Sequence, residues 1–153
     1  MRQLNDDDDL FDPYEQALLR SESDVGIVIG PDEQMHLVGM NQHVVTECVG
    51  DTADTLTARG GVVFWFRPMD RSPEVNRMAT LNLFAAAGMS ARTVRLLHGP
   101  VLITGADEHG NPTGLSNAQF KLLKSGPEPN WWAKRTLQVR ARRFERRRSR
   151  RPR

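Results

Sequence analysis

Cysteine is almost absent from this chain of 153 residues: Cys48 stands alone, so an intrachain disulfide is excluded. A solitary thiol fits a reducing compartment. Its neighbours Val44, Val45 and Val49 are apolar, so a buried inert thiol is expected rather than a nucleophile. Long apolar runs are missing as well, and none approaches the roughly 20 residues that a membrane helix needs. Where a secretion signal would place a basic patch and an apolar stretch, the N-terminus has Asp6, Asp7, Asp8 and Asp9. The expected location is the cytoplasm.

Signatures of catalysis are equally sparse. The four histidines form no ligand pattern; His43 and Cys48 are five residues apart, wrong for one helix face, and no second pair accompanies them. Gly99-Pro100 and Gly105 bracket an apolar run, but no Lys-Ser or Lys-Thr follows a glycine loop, which excludes that kind of phosphate cradle. The serines show neither a nucleophile elbow nor a neighbouring base. Asp107-Glu108-His109-Gly110 groups two carboxylates with an imidazole, as a metal-dependent nuclease would. With Asn111 and Pro112 it is also the composition of an exposed hairpin turn, and the turn is the favoured reading. No catalytic residue, metal or cofactor is assigned, and no internal repeat is found.

Charge, by contrast, is abundant and sorted along the chain. Residues 134–153 hold eleven Lys and Arg against one acid, Glu145. The whole chain is only +2, so the first 133 residues carry a formal −8. Most of that excess sits in residues 1–24, which have eight acids and two arginines. Such asymmetry points to partners better than the net charge does.

Four divisions follow: an acidic leader with a short helix (1–24), an α+β domain (25–124), a linker (125–133) and an Arg-rich arm (134–153). The leader is expected to be disordered as far as Leu10, with Asp12-Pro13-Tyr14-Glu15 opening its helix. Residues 25–29 and 35–40 read as a hairpin around the turn-forming Gly30-Pro31-Asp32. Residues 42–49 fit either a strand extension or a helical turn. Residues 51–59 suggest a short helix ended by Gly60. Residues 61–66 are apolar on both faces, as in a central strand. A helix should then reach Ala87 and stop at Gly88, with Ser72 or Asn76 as its cap and Met78, Leu81, Phe84 and Ala85 on its core side. A strand over 100–104, a polar turn over 106–114 and a helix capped by Ser116 complete a small mixed sheet with three or four short helices.

The arm carries the strongest signal. Arg140, Arg142, Arg143, Arg146, Arg147, Arg148, Arg150, Arg151 and Arg153 fall within fourteen residues. Guanidinium groups contact phosphates bidentately and stack on bases. Residues 133–145 lack Gly and Pro, and Ala133, Leu137, Ala141 and Phe144 would line one side of a helix. Trp131 and Trp132 stand at its start; they can stack on unpaired bases or pack on the domain to anchor the arm. If about five charges meet duplex phosphates, log affinity falls with log salt at a slope near −4.5. Nothing in the pattern reads base edges, so binding without sequence preference is expected.

Two stretches are similar to a known family. Pro73-Glu74-Val75-Asn76-Arg77-Met78-Ala79-Thr80 resembles its Pro-x-Val-Asn-x-x-Ala-Thr segment. His98-Gly99-Pro100-Val101-Leu102-Ile103-Thr104-Gly105, then Asp107, Gly110 and Leu115-Ser116, resembles its Gly-Pro-Val segment, acidic turn and closing Leu-Ser. That family is a domain of unknown function found mostly in bacteriophages, plasmids and actinobacterial genomes. Over residues 25–124 the resemblance implies a small α+β domain in a mobile-element setting, favours Asn76 as the cap, and supplies no catalytic residues. The combined expectation is a non-enzymatic accessory protein of a phage, prophage or plasmid. It would bind DNA or RNA through the arm, with a host or phage protein as a further partner. The alternatives are an inhibitor of a host factor or defence system, and a metal-dependent nuclease using Asp107, Glu108 and His109.

Overall fold

The computed structural model describes residues 24–68, 74–125 and 131–150, excluding the side chains of residues 124, 125 and 131. Residues 1–23 of the leader, with its expected helix, lie outside the described residues, as do residues 69–73 and residues 126–130 of the linker.

The two apolar runs pair as expected. β1 (Val25–Ile29) and β2 (Met35–Gly39) are antiparallel, with Ile27 opposite Leu37 and Ile29 opposite Met35. The open segment after them is helical: α1 (Val44–Cys48) starts beside Asn41, whose Oδ1 accepts the His43 N–H at 2.7 Å.

Residues 51–59 overturn the expected helix. β3 (Asp54–Thr57) pairs antiparallel with β4 (Val63–Phe66), setting Leu56 opposite Phe64 and Thr55 opposite Trp65. The governing period is two: Leu56 alone of the four turns inward, and branched Thr55 and Thr57 suit a pleated edge. Gly60 is left-handed, with φ 70°, but together with Gly61 at 74° it reverses a hairpin rather than ending a helix.

α2 (Arg77–Ala87) begins at Asn76, whose Oδ1 accepts the Ala79 N–H at 3.0 Å, and ends at Gly88 with φ 65°. Its deepest residues are Ala79, Thr80, Leu83 and Ala86, whereas Met78, Leu81 and Phe84 pack part-buried around the same core. The expected core face is therefore rotated.

β5 (Val101–Ala106) and β6 (Pro112–Thr113) enclose the polar turn. α3 (Asn117–Ser125) opens with a capping box: Ser116 Oγ accepts the Gln119 N–H at 3.2 Å, and Gln119 Oε1 accepts the Ser116 N–H at 2.9 Å. The last element is the 19-residue α4 (Trp131–Ser149).

The strand order is β2-β1-β5-β4-β3, with β6 beside β5. The fold is α+β as expected, and every pairing among the described residues is antiparallel where a mixed sheet was anticipated. Ile27, Ile29, Phe64, Phe66, Val101 and Ile103 bury one face with residues of α2, α3 and α4. On the other face Leu102 packs with Val44 and Val49, beside Trp65 and Cys48. β5 is thus buried on both sides, and the neighbouring β4 is interior as its sequence implied.

One polar junction ties three distant segments. Asn76, fully buried, donates from Nδ2 to Ile29 O at 2.9 Å and to Gly99 O at 2.8 Å. The Thr80 hydroxyl donates to Asn76 O at 2.8 Å and accepts the Leu97 N–H at 3.0 Å. The Asn-x-x-Ala-Thr segment is accordingly a structural stitch: it joins β1, α2 and the approach to β5.

Candidate nucleic-acid interface

α4 follows from its own periodicity. Ala133, Leu137 and Ala141 recur every four residues and are 8%, 6% and 1% exposed, forming a seam against the domain. Leu137 belongs to the main core, and Phe144 meets the His98 ring with centroids 4.6 Å apart and planes at 58°. The proximal half of the expected arm is therefore a wall of the domain. An apolar side at these four positions was legible in the sequence; its destination was not.

Among the expected contact residues, Arg140 is separated from the others. It is half-buried, and its Nη1 donates to Ala91 O at 2.9 Å and Val94 O at 2.6 Å. Its guanidinium clamps α4 to the segment after α2. Arg142, Arg143, Arg146, Arg147, Arg148 and Arg150 are exposed, and among the described residues no carboxylate forms an ion pair with them. Arg151 and the Trp131 side chain lie outside the described residues.

Trp132 is 71% exposed, so its indole does not serve as a buried anchor. It borders an open basin of about 480 Å³, lined also by Arg92, Arg135, Thr136, Val139, Arg140 and Arg143. The sequence reading missed Arg135 and Arg92. Arg135 was within reach, since it lies three residues from Trp132 on a helix; Arg92 comes from another segment and carries no local signal. Trp132, Arg135, Val139, Arg143 and Arg146 succeed one another at spacings of three and four, so they form one stripe along the helix.

A second recess, of about 300 Å³, lies between α4 and the end of β4, walled by Phe66, Arg67, Arg95, His98, Arg140 and Phe144. Arg95 stacks over Phe66 at 4.8 Å and reaches Asp54 at 3.8 Å, while Arg67 Nε donates to Val49 O.

The Asp107 cluster is built as a turn. Asp107 Oδ1 accepts the N–H groups of His109 and Asn111, both at 2.9 Å, and Oδ2 accepts the Asn111 amide at 3.2 Å. The Asn111 backbone N–H, foremost among these donors, holds the carboxyl below its usual range. Glu108 and His109 are 3.7 Å apart and largely exposed. Among the described residues no group of three or more His, Cys, Asp or Glu could hold a metal ion. Cys48 is half-buried, and burial followed by the charge of Glu47 pushes its thiol up. No described helix is long and apolar enough to cross a membrane.

Comparison with family models, curated proteins and solved structures yields no match.

Proposed function

We propose that this protein is a non-enzymatic accessory protein that binds nucleic acid without sequence preference through α4, in the setting of a phage, prophage or plasmid. The observation that carries the binding reading is the exposure of Arg142, Arg143, Arg146, Arg147 and Arg148 on α4, with Arg150 just past its end, while the apolar seam of the same helix is built into the domain core. Docking along the seam holds Arg142 and Arg143 at helical spacing, and phosphates can neutralise these two without first ordering that docked part of the chain. The mobile-element setting rests on the resemblance of residues 73–80 and 98–116 alone.

Binding of the full chain to duplex and single-stranded DNA across a salt series tests the reading. Changing Arg142, Arg143, Arg146 and Arg147 together to Gln should flatten the slope of log affinity against log salt by about 0.9 for each duplex phosphate no longer neutralised. An unchanged slope would overturn it.

The acidic leader belongs to the same proposal through its charge. Asp6 to Asp9 can compete with phosphate for the arginines, an effect that salt screens. Deleting residues 1–10 is expected to tighten DNA binding, most of all at low ionic strength. Equal affinity of the deletion and the full chain would remove the leader from the mechanism.

A further inference from the structure

The stripe on α4 is not uniformly cationic. Trp132 and Val139 are two of the three large apolar side chains that stand exposed among the described residues, and both border the same basin. Seven residues apart, they share a helix face. Arg135 and Arg143 lie on that face and Arg92 reaches it from the segment after α2, so the basin that the indole borders is lined with guanidinium groups. The Thr136 hydroxyl, also in the basin, donates back to Trp132 O at 2.8 Å and thereby fastens the turn carrying the indole.

A duplex offers this basin phosphates but keeps its base faces stacked on one another. An unpaired base presents a free face of the size and flatness of the indole, and every base has one. We infer that the basin around Trp132 is a stacking platform for an unpaired base, making single-stranded nucleic acid the preferred ligand. This rests on the reading of α4 as a nucleic-acid interface. The base stacks on Trp132, the sugar lies toward Val139, and Arg92, Arg135 and Arg143 meet the flanking phosphates. Discrimination comes from the indole, whereas the arginines supply a charge term common to single strands and duplexes.

The two terms separate experimentally. With the full chain, short oligothymidylate, a blunt duplex and polyglutamate are titrated at several salt concentrations. Trp132→Ala should weaken oligothymidylate binding by about tenfold or more while leaving duplex affinity and the salt slope nearly unchanged. Trp132→Phe should recover part of that affinity, because a smaller ring still stacks. Circular dichroism should register no unfolding, since the indole is exposed. Equal losses on oligothymidylate and duplex, or no loss on either, would overturn the platform while leaving charge-driven binding by the arginines intact. Failure of the Arg142, Arg143, Arg146 and Arg147 variant to alter binding to any nucleic acid would instead overturn the underlying function. Polyglutamate bound as tightly as oligothymidylate and indifferent to Trp132→Ala would assign the surface to acidic protein and overturn the inference.

Discussion

Asn76→Ala is expected to destabilise the protein by about 3–5 kcal/mol, a large effect for one side chain. Asn76 is fully buried, and its amide satisfies Ile29 O, Gly99 O and the Ala79 N–H together. Alanine leaves two carbonyls and one N–H without that partner, in a place where each unmet group costs about 1–3 kcal/mol. Removal of the helix cap is included in that figure. Thermal unfolding should move down by roughly 10–20 °C. Asn76→Asp would not preserve the junction: it keeps an acceptor for Ala79 but directs a second oxygen at the two carbonyls. A shift below about 3 °C for Asn76→Ala would show that the junction contributes no more than about 1 kcal/mol and overturn the expectation.

Arg140 and Arg143 are three residues apart and should behave oppositely. Arg140→Ala is expected to cost about 2–3 kcal/mol in urea unfolding, because one charged donor group spans Ala91 O and Val94 O and closes α4 onto the domain. Arg143→Ala, on the exposed stripe, should stay within about 0.5 kcal/mol of the parent. In duplex binding the order reverses. Arg143→Ala should flatten the salt slope by about 0.9 if it touches a phosphate, and Arg140→Ala should leave the slope nearly alone at temperatures where the fold persists. Arg140→Lys keeps the charge but not the planar fork, so it should retain only part of the stability. Matching stabilities for the two alanine variants would show that the clamp contributes nothing.

Elements specified by local chemistry were legible in the sequence. The β1–β2 hairpin, β4, the Gly88 stop, the Ser116 cap and the Asp107 turn each depend on residues within a few positions of one another. β3 was not, because Gly60 is equally suited to ending a helix and reversing a hairpin; pairing with β4 decides between them. The core face of α2 is displaced from its expected position because two of its deepest residues are alanines, weak in any hydrophobicity pattern. At the candidate site the arginine cluster and the apolar seam were readable along α4. The inward turn of Arg140 and the arrival of Arg92 were not, since both depend on residues 88–97 lying beside a helix that starts only at Trp131. Asn76, Ala79 and Thr80 have a physical role of their own, since they form the junction at the sheet end.

The seam on α4 stops at Phe144, and every described residue beyond it is exposed. Past that point the helix has its own backbone bonds and the Ser149 hydroxyl, which donates to Arg146 O at 2.9 Å, while Arg142–Arg146 and Arg143–Arg147 are like charges four apart, each unfavourable by about 0.2–0.5 kcal/mol. The helix is thus graded in local stability. Amide hydrogens near Leu137 and Ala141 should exchange only on opening of the domain, and those from Glu145 onward on fraying of the tip. An anion that quenches the repulsion stiffens the tip, so ligand binding and helix propagation are one coupled equilibrium at the end of this chain.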